Sequence, residues 1–332
     1  MSEIPRIAVV VPVYEEAEGI AEFHGRLMRV LDRLEAEAAV LYVDDGSRDA
    51  TPELLERFAA EDRRVGVLRL SRNFGKEYAL SAGLDYVEGD AVVVIDADLQ
   101  DPPELIPEMV ARWRAGAEVV FGRRTARTGE GWFKRLSAHL FYRLLGRLSE
   151  VPIPPDVGDF RLLDRRAHRA LVGLRERNRF MKGLFAWIGF RQEALPYVRE
   201  PRHRGKSKWR LSRLWALAVD GITAFSSTPL RLAGPFGLVV ALAAFAYGVW
   251  IIGKTLLYGD PVPGYPSLMV VILFLGGVQL LALGVIGEYL ARLYIEAKQR
   301  PLYLVERWHP PRYDGIRSRA EEGDDADRGT AA

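Results

Sequence analysis

The chain has 332 residues, of which 27% are charged and 49% are hydrophobic, and its formal net charge is +2. This balance is typical of a globular protein and excludes a broadly disordered chain, while the length allows one large domain or two smaller ones. The sequence contains no cysteine, which excludes disulfides, thiolate catalysis and cysteine-based zinc sites, and its five histidines show no HExxH spacing.

Apolar runs alternate with helical patterns through the N-terminal part of the chain. Strands are predicted at residues 7–14, 39–45, 65–71, 90–98 and 117–124, and helices at 19–37, 50–62, 76–87 and 102–116. No signal peptide is expected, because the first apolar run is only as long as a strand. Near-continuous apolar strands separated by helices predict an α/β fold with a mostly parallel sheet covered on both faces.

A polar cluster follows each predicted strand. In chain order these clusters read PVYEE, DDGS, SRNFGK, DADLQD and GRR. Parallel sheets bind ligands at the carboxyl ends of their strands, so the clusters predict one shared site. There is no GxGxxG after the first strand and no GxxxxGK[ST], so neither a dinucleotide fold nor a P-loop is supported.

The cluster DADLQD predicts a metal site. Asp96 and Asp98 are two residues apart, so in an extended chain their side chains point the same way. Two like charges on one face repel unless a cation lies between them, and oxygen ligands favour Mg²⁺ or Mn²⁺. Gln100 adds a neutral oxygen. The alternative is an Asp-rich turn in which Pro102 and Pro103 start the next helix. Asp101 is expected to cap that helix and not to join the ligand set.

The other strand ends carry candidate ligand-binding groups with structural alternatives. Asp44 or Asp45 can accept a hydrogen bond from a base or ribose, whereas Ser47 or Asp49 can cap the next helix. Lys76 can reach a phosphate or lie in solvent. Arg123 and Arg124 offer guanidinium groups to a phosphate, or are surface arginines.

Two uncharged runs, residues 232–253 and 265–287, are each long enough for a membrane-spanning helix. The flanks of this pair are rich in Lys and Arg, and the connecting turn has one lysine, so the large N-terminal part and the C-terminal tail are predicted to be cytoplasmic. Glu288 is expected at the cytoplasmic interface near Arg292. Glycines in the second run allow close helix packing and hence a homo-oligomer.

Residues 199–213 contain seven Lys or Arg and one acid. Such a segment beside a span is either a polybasic surface held on anionic lipid or a grip on an acceptor phosphate. Residues 211–227 are predicted to form an amphipathic helix along the membrane, and residues 315–332 a disordered tail. Nucleic-acid binding is not expected, because stacking aromatics are not interleaved with the basic residues.

Taken together, these motifs resemble the family-2 GT-A glycosyltransferases. VPVYEE, VDDGSRDAT, DADLQDPPE, FGRR, DVGDFRLLDR and HRGKSKW occur in order before the helix hairpin, and GEYLARLYIEAKQRPLY follows it. The chain is similar, over residues 5–310, to the polyprenyl-phosphate branch of that family. This branch includes dolichol-phosphate mannose synthase and bacterial relatives that load glucose or a modified arabinose onto undecaprenyl phosphate.

The resemblance implies site residues. The nucleotide-sugar pocket comprises Pro12, Tyr14, Glu16, Val43, Asp45, Lys76, Asp96 and Ala97, and the metal and diphosphate site comprises Asp96, Asp98 and Gln100. The acceptor-phosphate contacts comprise Arg123, Lys134, Arg135, Arg202, Arg204, Ser207 and Lys208. The chain has VGDFR where mannose synthases have a TSGFR-like stretch. Asp159, with Asp156, is therefore a candidate base or acceptor-positioning group beside the catalytic Asp98 and Arg123.

The implied activity is inverting transfer of a sugar from a nucleotide-sugar, with UDP-glucose as first choice, to undecaprenyl phosphate with Mg²⁺ or Mn²⁺. A GDP-mannose-using synthase and a non-catalytic membrane protein that binds partners are the alternatives, and a processive synthase is disfavoured by the lack of QxxRW. The expected organisation is a cytoplasmic GT-A domain, an acceptor loop with a juxtamembrane helix, and a transmembrane hairpin with helices near 232–256 and 266–290. A cytoplasmic C-terminal segment and the tail complete it. The corresponding ranges are 1–200, 201–230, 231–292, 293–314 and 315–332. The protein is expected in the inner membrane, with both termini cytoplasmic.

Overall fold

The computed structural model describes residues 4–125, 157–198, 228–258 and 264–311. Its strands are β1 (Arg6–Val13), β2 (Glu37–Asp44), β3 (Val65–Leu70), β4 (Ala91–Val94), β5 (Val119–Arg124), β6 (Val157–Asp164), β7 (Gln192–Tyr197) and β8 (Val305–His309). Its helices are α1 (Ile20–Leu31), α2 (Thr51–Glu61), α3 (Lys76–Asp85), α4 (Ile106–Arg114), α5 (Arg165–Gly173), α6 (Met181–Trp187), α7 (Thr228–Tyr258) and α8 (Tyr265–Ala297). A 3₁₀ turn, Pro103–Leu105, precedes α4.

Within these ranges, eight strands form one sheet in the order β7-β5-β6-β4-β1-β2-β3-β8. Strand β1 pairs in parallel with β2 and β4, and β2 pairs in parallel with β3. The predicted mostly parallel α/β sheet is therefore confirmed. The apolar strands are buried because helices cover both faces: α1, α2 and α4 pack on one side, and α3, α5 and α6 on the other.

Two strands run against the others, and the sequence patterns did not predict them as strands. Strand β6 is antiparallel to both β4 and β5, with Val94 opposite Arg161 and Arg123 opposite Val157. The beginning of β6 thus lies at the edge where β4 and β5 end. Strand β8 pairs antiparallel with β3 and closes the opposite side of the sheet.

Among the predicted boundaries that were wrong are the end of α1 and the end of β4. Helix α1 ends at Leu31 instead of continuing to residue 37, because β2 already begins at Glu37, which pairs with Arg6. Strand β4 ends at Val94, and the chain turns at Ala97. The extended geometry expected for Asp96 and Asp98 is therefore replaced by a turn.

Helices α7 and α8 follow the two uncharged runs and extend beyond them. Their segments Gly234–Tyr258 and Val270–Ala297 are long and apolar enough to cross a membrane, which suggests membrane association. Near the end of α8, the guanidinium of Arg292 donates to Glu288 at 2.9 Å. The predicted proximity of these two residues is therefore confirmed. The predicted acceptor loop, the juxtamembrane helix and the tail fall outside the described residues.

Candidate active site

A lysine bridges two aspartates at the edge where the parallel strands end. Lys76 is the first residue of α3, Asp96 follows β4, and Asp159 lies near the start of β6. The Nζ of Lys76 lies 2.7 Å from Oδ2 of Asp96 and 2.5 Å from Oδ2 of Asp159. Residues from three distant parts of the chain thus form one ionic cluster.

The second oxygen of each aspartate has no such partner. Oδ1 of Asp96 and Oδ1 of Asp159 are both buried without a hydrogen bond among the described residues. A buried polar atom without a partner is uncommon and calls for an explanation such as a bound ion. The cluster therefore retains capacity for a further cation or donor.

The pKa values of the two aspartates are shifted in opposite directions. Burial alone would raise the pKa of Asp159, but the charges of Lys76 and Lys182 lower it to about 2. Burial raises the pKa of Asp96, and the negative charge of Asp159 adds to that effect against the opposing pull of Lys76. Burial would lower the pKa of Lys76, but the two aspartates raise it. Lys76 and Asp159 are thus a charged pair at neutral pH.

The Asp-x-Asp segment fits a divalent cation that is shared with a substrate. The part of the chain that the structure describes holds no group of three His, Cys, Asp or Glu residues arranged for a metal. Mg²⁺ is commonly bound through one or two carboxylates together with substrate phosphates, so Asp96 and Asp98 are the carboxylates that would hold such an ion. Leu99, which lies between Asp98 and Gln100, has a φ of 59°. Such a strained backbone conformation is frequent at functional sites.

Asp101 does not cap the next helix, so that prediction was wrong. The 3₁₀ turn before α4 has Pro102 at its start and no side-chain cap. Asp101 is instead buried and accepts a hydrogen bond from the hydroxyl of Tyr197 in β7. The guanidinium of Arg124 lies 3.9 Å from the Asp101 carboxylate. The charge of this aspartate is therefore compensated across strands β5 and β7.

The two arginines at the end of β5 differ in environment. Arg123 is exposed and lies opposite Val157 of β6 and Pro196 of β7. Arg124 is partly buried, and its Nε donates to the Tyr197 hydroxyl at 3.3 Å. Of these two arginines, Arg124 is the one with a side-chain contact to Asp101. The role of Arg123 at a phosphate stays a prediction.

The predicted nucleotide residues lie at the ends of β1 and β2. Pro12 and Val43 are buried register partners, and Tyr14 is 40% exposed just beyond them. The N–H of Glu16 donates to Thr51 Oγ1 at 3.0 Å. The buried carboxylate of Asp45 accepts from the N–H groups of Phe74, at 2.7 Å, and Gly75, at 2.8 Å. Asp45 thus holds the loop that leads into Lys76.

Ser47 and Asp49 were the alternatives for capping α2, but the N-cap residue of α2 is Ala50, which has no side-chain cap. Ser47 accepts from the N–H of Glu15 at 3.0 Å, so it holds the β1 end. Asp49 accepts from the N–H of Thr51, the first residue of α2, at 3.1 Å. Asp44 accepts from the N–H of Ser47 at 3.0 Å and lies 3.4 Å from Arg69. Part of this motif therefore supports the fold.

Relatives match nearly the whole chain. It is 50% identical over 299 residues to an uncharacterized glycosyltransferase from Synechocystis sp., covering 90% of this chain and 94% of that protein. The chain belongs to glycosyl transferase family 2. Residues 8–172 match the family described as Glycosyl transferase family 2, and residues 228–293 match the family described as GtrB C-terminal hairpin. The resemblance seen in the motifs is thus confirmed, and the protein is a glycosyltransferase.

This family 2 glycosyltransferase is also similar to two named proteins. The SfII prophage-derived bactoprenol glucosyl transferase of Shigella flexneri is 46% identical over 304 residues, which cover 92% of this chain and 98% of that protein. Among solved structures, glucosyl-3-phosphoglycerate synthase from Mycobacterium tuberculosis, in complex with Mn²⁺ and UDP-glucose, is 24% identical. The match covers 66% of this chain and 78% of that one, with a TM-score of 0.44.

Several residues of this candidate site were not selected from the sequence. Lys182 opposes the charge of Asp159, and Glu77 accepts from the N–H of Met181 at 2.9 Å. The guanidinium of Arg161 is buried 3.4 Å from the Phe185 ring centre and donates to the carbonyl of Gly158 at 2.7 Å. The available signal for Arg161 was an arginine at the fifth position of VGDFR, between Phe160 and Leu162 in an otherwise apolar run. Lys182 carries no such signal.

Some selected residues fall outside the described ranges. They are Asp156, Lys134, Arg135, Arg202, Arg204, Ser207 and Lys208. Ala97, by contrast, is described and is buried in the turn between Asp96 and Asp98. The acceptor-phosphate set therefore stays a prediction.

Proposed function

We propose that the chain transfers glucose from UDP-glucose to undecaprenyl phosphate at the cytoplasmic face of the membrane, with inversion at the anomeric carbon. The observation that carries this proposal is the 46% identity to a bactoprenol glucosyl transferase over 304 residues, a length that includes both the strand-end site and the helix hairpin. Bactoprenol in that protein's name is a polyprenol, which matches an acceptor that resides in the membrane.

The acceptor requires little activation. A phosphate monoester has a second pKa near 6 and carries about −1.5 to −2 charges at pH 7. Its oxygen attacks C1 of the sugar from the face opposite the diphosphate. The new C1–O bond forms as the C1–O bond to UDP breaks, and the electron pair leaves with the diphosphate. The main electrostatic demand is therefore stabilisation of the leaving UDP.

Positive charge is available for that leaving group. In the proposed site Asp96 and Asp98 hold Mg²⁺ or Mn²⁺, which supplies Lewis-acid stabilisation of the diphosphate when bound. Lys76, Lys182 and Arg124 add cationic groups near the same strand ends, since Lys76 and Arg124 interact electrostatically with Asp96 and Lys182 interacts with Asp159. These three residues are candidates to bind the two phosphate-bearing substrates.

Asp159 is better suited to positioning than to proton abstraction. A general base works best when its pKa lies near the working pH, whereas the pKa of Asp159 is lowered to about 2. Its ion pair with Lys76 holds both side chains at the strand edge. We therefore assign Asp159 the role of orienting Lys76 and the acceptor, with Asp156 beside it in sequence.

The proposed membrane topology is supported by the basic residues that flank the hairpin and by a contact between α8 and the GT-A domain. The basic flanks of the hairpin favour a cytoplasmic location for the GT-A domain and both termini. The last turn of α8 also contacts the domain, since the N–H of Arg177 donates to Glu296 at 2.9 Å. The site thus stays near the surface from which a polyprenyl phosphate is presented. The proposed organisation is the one expected from the sequence, with a domain at 1–200 and a hairpin at 231–292.

One assay tests the proposal. Purified full-length protein in detergent would receive undecaprenyl phosphate, Mg²⁺ or Mn²⁺, and UDP-glucose, GDP-mannose or UDP-GlcNAc in separate reactions. Lipid-linked glucose should form from UDP-glucose, and Asp98→Ala should reduce its rate by roughly 100-fold or more, as loss of a metal-centred stabilisation implies. Asp32→Ala, which lies just beyond α1 at the opposite sheet edge, is the matched control and should retain the rate. Product from GDP-mannose alone would overturn the choice of sugar, and equal product from Asp98→Ala would overturn the proposed site.

A further inference from the structure

Lys76 occupies the position between two carboxylates that a divalent cation would otherwise neutralise. Its ammonium contacts Asp96 at 2.7 Å and Asp159 at 2.5 Å, while the side chains of these aspartates are only 21% and 11% exposed. Two buried like charges repel each other unless a cation lies between them. In this structure a side chain of the protein itself supplies that cation.

We propose that Lys76 is a resident counter-cation that competes with the divalent metal for Asp96, and that a nucleoside diphosphate releases it. On this account the free protein binds the metal weakly. The bound nucleotide offers its diphosphate to Lys76 and to the metal together. This inference rests on the proposed use of a nucleotide-sugar and a divalent cation.

The geometry gives Lys76 the freedom to move. Its side chain is 45% exposed although its ammonium is engaged, so the group has space to turn toward an incoming anion. The backbone before it is fixed, because Asp45 accepts a hydrogen bond from the N–H of Gly75. Gly75 is the N-cap residue of α3 and has a φ of 107°. A fixed backbone with a mobile four-carbon side chain suits a lysine that exchanges partners within one site.

The unpartnered oxygens indicate where the metal would enter. Oδ1 of Asp96 is buried and without a hydrogen bond among the described residues, while Oδ2 holds the lysine. A divalent ion on Oδ1 would lie close to the ammonium, and like charges in a poorly solvated site repel strongly. Lys76 therefore opposes binding of the metal alone. When a diphosphate binds together with the metal, its negative charge attracts the Lys76 ammonium and removes that opposition.

The test measures metal binding and needs no sugar transfer. Full-length protein in detergent is titrated with Mn²⁺, and the free ion is followed by its electron paramagnetic resonance signal, first without and then with UDP. In the unchanged protein UDP should tighten Mn²⁺ binding by at least about tenfold, whereas Lys76→Met should bind Mn²⁺ at least about tenfold more tightly than the unchanged protein when UDP is absent. The effect of UDP should shrink in the same variant.

Two further variants serve as controls. Lys76→Arg keeps the charge, so its Mn²⁺ affinity without UDP should stay within about threefold of the unchanged protein. Lys76→Gln repeats the charge removal with a polar side chain and is the variant to use if Lys76→Met does not fold, as judged by circular dichroism. Equal or weaker Mn²⁺ binding by the neutral variants would overturn the proposal.

Failure of this inference can be separated from failure of the proposed function. A protein that shows the Mn²⁺ competition but forms no lipid-linked sugar would contradict the proposed function alone. A protein that forms the product but binds Mn²⁺ equally well with and without Lys76 would contradict the counter-cation role alone.

Discussion

The N–H of Arg177 donates to Oε2 of Glu296 at 2.9 Å and so ties the segment before α6 to the last turn of α8. The guanidinium of Arg177 also donates to the carbonyl of Arg300 at 3.0 Å, and the carbonyl of Arg177 accepts from the hydroxyl of Tyr78 at 2.8 Å. Tyr78 lies two residues after Lys76 in α3. A continuous set of hydrogen bonds therefore links the apolar helix α8 to α3, the helix that carries Lys76.

Replacing Glu296 should loosen this link. Glu296→Ala removes acceptors for the N–H and guanidinium of Arg177, and we expect a loss of about 1 kcal/mol of stability, because both groups are partly exposed. Hydrogen exchange measured by mass spectrometry should become faster in residues 174–180 and in the first turn of α3. Glu22→Ala, an exposed glutamate of α1, is the control. Unchanged exchange in both segments would show that α8 does not hold this part of the domain.

Glu77 should make the stability of the domain dependent on pH. Burial, followed by the charge of Asp159, raises the pKa of Glu77 to about 7, above its ordinary value near 4.5. Between about pH 4.5 and 7 the folded state therefore binds more protons than the unfolded state. The contribution of Glu77 to the free energy of unfolding is fully present below about pH 4.5 and is lost as the pH rises through about 7. Each unit of pKa difference corresponds to about 1.4 kcal/mol.

The variant Glu77→Gln isolates this contribution. It cannot ionise, so its melting temperature relative to the unchanged protein should rise between pH 5 and pH 8. Thermal unfolding followed by circular dichroism at the two pH values measures the difference. Glu22→Gln, at an exposed position of α1, is the matched control for removing a glutamate charge. A constant difference for Glu77→Gln across this range would contradict a raised pKa for Glu77.

The Tyr197 hydroxyl should stabilise the buried carboxylate of Asp101. Tyr197→Phe removes the donor while leaving the ring on Phe160, whose centroid is 6.3 Å away. Loss of a hydrogen bond to a buried charge costs about 1–3 kcal/mol, which urea denaturation would detect. Tyr294→Phe alters a tyrosine that is 60% exposed in α8 and should have no effect of that size. Equal stability of the two variants would contradict the role of this hydroxyl.

Two glycines in helices should respond to alanine in opposite directions. A Cβ on Gly83 of α3 would lie 2.3 Å from a methyl of Val10 and 2.9 Å from a methyl of Val43, so Gly83→Ala should destabilise the fold by about 1–3 kcal/mol. A Cβ on Gly25 of α1 would come no closer than 3.6 Å, to the end of the Arg29 side chain. Gly25→Ala should therefore stabilise the protein by about 0.5–1 kcal/mol through helix propensity. Thermal melts compare the two, and a stabilised Gly83→Ala would contradict close packing of α3 on the sheet.

The strand ends could be predicted because they depend on local patterns. Apolar runs of strand length and helical periodicity located β1 to β5 and α1 to α4, with errors at their ends. The polar residues that follow each run, such as Asp96 and Lys76, then had to meet at one edge of a parallel sheet. The burial of β1 and β2 along their lengths matches this reasoning.

The partners of those residues could not be predicted in the same way. Nothing local to VGDFRLLDR indicates that it runs antiparallel between β4 and β5, yet only this direction brings Asp159 to the carboxyl ends of the parallel strands. Tyr197 was missed for the same reason, because it reaches Asp101 only once β7 joins the edge of the sheet.

By itself, the sequence determined the alternation of strands and helices, the acidic segment after β4 and the two apolar helices, since each follows from residues that are neighbours in the chain. The tertiary structure alone decided which charges meet. Lys76 and Asp159 are separated by 83 positions, and the tie between Arg177 and Glu296 spans 119. Such contacts depend on strand order and direction, which are set by how the whole sheet buries its two faces and not by any local pattern.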